Sequence, residues 1–113
     1  VSKEMENQHR KITGYRELNA DEIALMNEIK ELGPQIDAVI LKVQTHVHKQ
    51  RMKALYGQED FKPSQNTAVN PLDPETLKRL EDATPERFAA MAKTEFQTGL
   101  MYLVRAVAQP TTF

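Results

Sequence analysis

Leu18 to Val47 reads LNADEIALMNEIKELGPQIDAVILKVQTHV, and the spacing of its apolar residues decides the fold class. Leu18, Leu25, Ile29, Leu32, Ile36, Val39 and Val43 recur at alternating steps of four and three once past the first heptad. That is the seam of a helix packed lengthwise on another. At its start Asn19 stands as an N-cap with Glu22 three residues on, a variant capping box in which each side chain satisfies a backbone N–H that the first turn leaves open. Asp21 and Glu22 also suit the positive end of the helix dipole. The pattern predicts a first helix over 19–56 that begins in earnest at Ala20. Gly33-Pro34 interrupts it, because proline removes one donor and crowds the carbonyl four residues earlier. The seam keeps its phase across the pair, so a kink is expected rather than a break.

Upstream, Val1 to Gly14 carries almost no apolar periodicity and includes the basic run His9, Arg10, Lys11, so residues 1–18 read as an N-terminal arm. Downstream, the pattern fades after Val47, Gly57 is a plausible helix stop, and the polar, Pro63-containing stretch Gln58 to Asn70 reads as a linker. Asp73-Pro74 pairs an N-cap with proline at the first helical position and opens a short helix to about Asp82. Thr84-Pro85 repeats the device, which implies a turn near Ala83 and places a linker plus short helix over 57–84. The final helix, 85–109, carries a stripe of Phe88, Ala92, Phe96, Gly99, Leu103 and Ala106. Leu100, Met101, Val104 and Val107 make its second half apolar almost all round, more than one partner helix can cover. Ala89, Ala92 and Gly99 would allow close helix approach, and Gln109-Pro110 ends the element. The expected architecture is all-α: an antiparallel helical hairpin with a long kinked first helix, a linker with a short helix, and a C-terminal oligomerisation helix, in one domain over 1–113.

Composition narrows the function classes. A chain of 113 residues buries only about 60–70% of its unfolded surface when it folds alone, so a leftover apolar stripe has reason to find a partner chain. With 15 Lys plus Arg against 16 Asp plus Glu, the net charge of −1 gives no overall field for a nucleic-acid polymer or an anionic membrane. The absence of cysteine excludes disulfides, thiolate zinc sites and a cysteine nucleophile. No stretch approaches the ~20 apolar residues of a membrane span, and VSKEMENQHRK has no signal-peptide core, so a soluble intracellular protein is expected.

Catalytic chemistry has no support in the residues. His46 and His48 are two apart and point to different helix faces, and His9 is distant, so no metal site is expected. The carboxylate pairs Asp21/Glu22, Glu28/Glu31, Glu59/Asp60 and Glu81/Asp82 fall on polar faces or in the linker, where nothing buries them to shift a pKa. No nucleophile motif or glycine-rich phosphate loop is present, so neither an enzyme nor a cofactor is expected. What remains is HRKITGYREL, with Tyr15 among Arg10, Lys11 and Arg16 just before a helix N-terminus. An aromatic face can stack on a base for about 1–3 kcal/mol while cations neutralise phosphates; equally, Tyr15 is a staple between arm and helix, and the cations a solvated rim. Lys30 shares a face with Met26 and Gly33, offset from the seam, and either snorkels to solvent or aims at an anion. Arg105, inside LMYLVRAVAQ, must be paired, at an oligomer surface, or at a ligand.

Two blocks, ENQHRKITGYRELNADEIALMNEIK and RFAAMAKTEFQTGLMYLVRAVAQPTTF, resemble the N- and C-terminal blocks of the phage anti-CBASS protein 2 family, whose helical domain is related to the Thoeris anti-defence protein 1 sponges. Together they span about half of the chain; HRKITGYREL and KTEFQTGLMYLVRAVAQP carry the resemblance most specifically. The resemblance implies a compact homo-hexamer in the cytoplasm of an infected bacterium that sequesters cyclic dinucleotides and cyclic trinucleotides, such as cyclic GMP-AMP, without cleaving them. It implies that Tyr15 stacks on a base and Lys30 contacts the ligand's phosphates. For a separate trinucleotide site at the start of the last helix it points to Arg87 and, less directly, Thr94. The stretch from roughly Arg51 to Thr84 is longer than in the shorter family members. Two alternatives stay open: a sponge for cyclic ADP-ribose-type signals, and a helical adaptor with no nucleotide ligand.

Overall fold

The computed structural model describes residues 16–60 and 70–112. These form three helices, α1 (Ala20–Tyr56), α2 (Pro74–Ala83) and α3 (Pro85–Ala108), with no strand among the described residues. The chain is all-α, as the periodicity predicts. Of the arm, residues 1–15 lie outside the described residues, as do 61–69 of the linker.

The helix ends follow from local chemistry. The Glu22 N–H donates to Asn19 Oδ1 and the Asn19 N–H to Glu22 Oε1, both at 2.9 Å, so the capping box closes reciprocally and α1 starts at Ala20 as expected. α1 then runs through Gly33-Pro34 without a break, although Pro34 has no N–H to give the Lys30 carbonyl. It stops at Gly57, whose φ of 80° is the left-handed conformation and whose N–H reaches the Lys53 carbonyl at 2.8 Å. At α2 the Asp73 carboxylate accepts from the Thr76 N–H at 3.1 Å and from its hydroxyl at 2.7 Å. Between α2 and α3 stands Thr84 alone, left-handed at φ 46°, with its N–H on the Leu80 carbonyl. The expected second side-chain cap is absent: at the start of α3 it is the Thr84 carbonyl that receives the Arg87 and Phe88 N–H groups, because the left-handed backbone turns the chain directly from one helix into the next.

The chain divides into two compact units, Asp37–Thr94 and the pair of segments Val1–Ile36 and Glu95–Phe113. In Asp37–Thr94, Ile40, Val47, Ala54, Leu80 and Ala89 are buried, Leu80 almost completely at 2% exposure. The Arg51 guanidinium grips the Glu86 carboxylate through Nε and Nη2 at 2.7 and 3.0 Å, Lys93 faces Asp37 at 3.7 Å, and the Asp73 N–H bonds the Ala54 carbonyl at 2.9 Å. Rising numbers on α1 therefore meet falling numbers on α3. In the other unit the same order holds: Gly33 packs by Leu100, and Arg16 reaches the Val107 carbonyl.

The covered stripe of α1 differs from the predicted seam. Leu18, Ile29 and Ile36 are half-buried as expected, but Leu25, Leu32, Val39 and Val43 are exposed, Leu25 by 48% and Val39 by 57%. The covered positions sit one residue further on, at Met26, Gly33, Ile40, Val47 and Ala54. On α3 likewise Phe88, Phe96, Leu103 and Ala106 of the predicted stripe are exposed, while Ala89, Leu100, Val104 and Val107 turn inward with Ala92. Gly99 faces open space, with nothing within 4 Å of where a Cβ would stand, so the close helix approach expected there is not made among the described residues. Small side chains explain the choice, since Gly33, Ala54, Ala89 and Ala92 let helices approach closely whereas the bulky stripe would hold them apart.

Candidate functional site

Within the unit built from the chain's two ends, a cavity of about 410 Å³ opens beside α1 and α3, lined by Ile29, Lys30 and Gly33 from one and by Leu100, Met101, Val104, Arg105 and Ala108 from the other, with Pro110 at its edge. Its volume lies in the range of small-molecule sites. Helical spacing makes these walls: Ile29, Lys30 and Gly33 share one turn of α1, while Met101, Val104, Arg105 and Ala108 recur at three and four along one face of α3. Gly33 keeps the floor low, since a Cβ there would already touch Leu100 Cδ1 at 3.8 Å. The walls are mainly apolar, and the ionisable groups among them are both cationic. Neither the Lys30 ammonium nor the Arg105 guanidinium has an ion pair or hydrogen bond among the described residues.

In the same unit Arg16 is a clamp. Its guanidinium holds both carboxylate oxygens of Glu22, through Nη1 to Oε1 at 3.0 Å and through Nη2 to Oε2, and Nη2 also donates to the Val107 carbonyl at 2.8 Å. The Arg16 hydrogen bonds, first, and then the Asn19 N–H hold the Glu22 carboxyl down at about 2, and the same bond raises the Arg16 pKa. This corrects two expectations: Glu22 is not merely solvated, and Arg16 is spent on protein partners instead of standing ready for a phosphate. Spacing alone missed the clamp because its third member, Val107, lies 91 residues away.

Of the residues singled out by resemblance, Tyr15 lies outside the described residues, directly before Arg16 in the chain. Lys30 lines the cavity. Arg87 and Thr94 belong to the other unit; Arg87 sits over the ring of Phe88 with its guanidinium carbon 5.6 Å from the centroid, and the Thr94 hydroxyl turns back to the Ala90 carbonyl at 3.4 Å. Seven residues apart on α3, both are exposed on one face. His46 and His48 are exposed, and among the described residues no group of three or more His, Asp or Glu is placed to hold a metal ion. No helix among them is long and apolar enough to cross a membrane.

No family model matches the chain. A curated relative does: anti-CBASS protein 2 of Pseudomonas phage JBD67 is 42% identical over 108 residues, spanning 94% of this chain and 97% of the relative. The chain belongs to the anti-CBASS protein 2 family. The likeness thus reaches well beyond the two blocks that suggest the family in the sequence, and takes in most of the residues between them. Within the anti-CBASS protein 2 family, then, this chain presents a cavity whose two cationic groups come from the two blocks, Lys30 from the first and Arg105 from the second.

Proposed function

We propose that this anti-CBASS chain binds and sequesters cyclic dinucleotides and cyclic trinucleotides without cleaving them, and so blocks CBASS signalling in the cytoplasm of the infected bacterium. The observation that carries the reading is the open apolar cavity with the unpartnered Lys30 ammonium on its wall. Apolar walls suit base faces, and the ammonium suits a phosphate, with each charge-assisted hydrogen bond worth about 1.5–3 kcal/mol. Tyr15, which precedes the Arg16 clamp, supplies the stacking ring in this reading, and Arg87 with Thr94 forms the separate trinucleotide site.

A sponge must outcompete the host receptor, which calls for about −12 kcal/mol, nanomolar binding. One cavity open to solvent falls short of that, and self-association into a hexamer closes the gap by adding walls from neighbouring copies. The exposed apolar side chains Leu25, Leu32, Phe96 and Leu103 of one unit, and Val39, Val43 and Phe88 of the other, support such an assembly, since apolar surface that the chain does not cover has reason to find a partner chain.

The test is calorimetry of the purified chain against a panel of cyclic di- and trinucleotides, followed by heat denaturation and chromatography of the released ligand. Tight binding with intact ligand released is the expected result. Shortened linear nucleotide would replace sequestration by hydrolysis, binding of cyclic ADP-ribose alone would move the chain to the other signal class, and no binding at all would leave a helical adaptor.

A further inference from the structure

Arg105 stands in the most apolar part of α3 as an exposed cation with no ion pair or hydrogen bond among the described residues. It lies on the face that lines the cavity, opposite the wall bearing Lys30, and no carboxylate is among the lining residues. Two exposed cations therefore border one open apolar space with no carboxylate on its walls, an arrangement that favours an anionic ligand. The two groups also differ in kind. The Lys30 ammonium is a compact point charge on a flexible stem, whereas the Arg105 guanidinium is a rigid planar fork that matches two oxygens of one phosphate.

We propose that Arg105 is a second phosphate-binding residue of this cavity, taking one phosphate of a cyclic dinucleotide while Lys30 takes the other, so that the site selects ligands with two anionic groups. The assignment rests on the sponge reading above and adds to it a residue, a division of labour and a charge requirement. The competing role for Arg105 is structural: it lies in the last turn of α3, where a cation complements the helix dipole. Lysine at this position would serve the dipole equally but would lack the fork.

The experiment measures cyclic GMP-AMP binding by calorimetry for the full chain, Arg105→Gln and Arg105→Lys, at two salt concentrations, with melting curves of the unliganded proteins. Arg105→Gln is expected to weaken binding by about 10- to 100-fold and to make it less salt-dependent, with the unliganded melting temperature preserved. Arg105→Lys should fall between the two. If Arg105→Gln melts early, Arg105→Lys decides: weaker binding at native melting temperature supports the fork, and unchanged affinity overturns it. Tight binding by the unsubstituted chain together with unchanged affinity in Arg105→Gln overturns the role of Arg105 and leaves the sponge reading standing. No binding by the unsubstituted chain overturns both.

Discussion

In Asp37–Thr94 the charged side chains pair with one another, Arg51 with Glu86, Lys93 with Asp37 and Lys78 with Asp82, around the buried Ile40, Val47, Ala54, Leu80 and Ala89. In the unit made from the chain's ends none of the described residues is fully buried, a cavity takes the place of a core, and Lys30 and Arg105 stay unpaired beside it. The same two helices thus bury side chains in one stretch and leave an open cavity with two unpaired cations in the other. Burial, and not charge pairing, is what separates the two units, since Arg16 and Glu22 also pair in the second while every fully buried side chain among the described residues falls in the first.

The strongest way to break this contrast is Leu80→Ala, which should cost about 2–5 kcal/mol in urea unfolding because Leu80 has no exposed surface to collapse toward. Leu100→Ala, at the half-buried cavity wall, should cost less than half as much; equal losses would mean that the two units share the work of stability. Next in size, Lys30→Ala should weaken cyclic GMP-AMP binding by about 10- to 100-fold in calorimetry with the melting temperature held, so a fall in both would make Lys30 a structural residue. Gly57→Ala should destabilise by about 1–2 kcal/mol, from the φ of 80° and from a Cβ placed 2.8 Å from the movable end of Leu72. Nucleotide affinity should not follow it down.

The smallest effect concerns acid. The Glu22 carboxyl sits at about 2 in the folded chain against an ordinary 4.5, so its contribution is full above 4.5 and disappears as the pH falls from there through 2. Melting temperature followed from pH 7 to pH 3 should decline less steeply in Glu22→Gln than in the unsubstituted chain, because the group no longer takes up a proton on unfolding. Asp73 and Glu86, whose carboxyls Thr76 and Arg51 likewise hold low, contribute to the decline that remains.

What the sequence made legible was local. Asn19 with Glu22, Gly57, and Asp73-Pro74 fixed the helix ends to within a residue, because a cap is complete within four positions of the chain. The inward face of α1 was misread for a physical reason: two apolar stripes lie one residue apart, they share Ile29 and Ile36, and the bulkier one looks more like a core. The choice between them depends on partners far along the chain, such as Leu100 against Gly33, which periodicity within α1 cannot see. Lys30 was legible as a cation off the seam, but its place on a cavity wall opposite Arg105 appears only once the two helices are paired. Family likeness, by contrast, was readable from two strings of residues, because it requires no knowledge of packing.

The division into an uninterrupted middle and a pair of ends also orders events during synthesis. A ribosome that has released the chain as far as Thr94 has delivered every buried side chain of the central unit, and that unit can close while translation continues. Arg16, made early, must wait for Val107, and Lys30 for Arg105. On the proposed sponge reading, ligand competence is therefore the last property the nascent protein acquires.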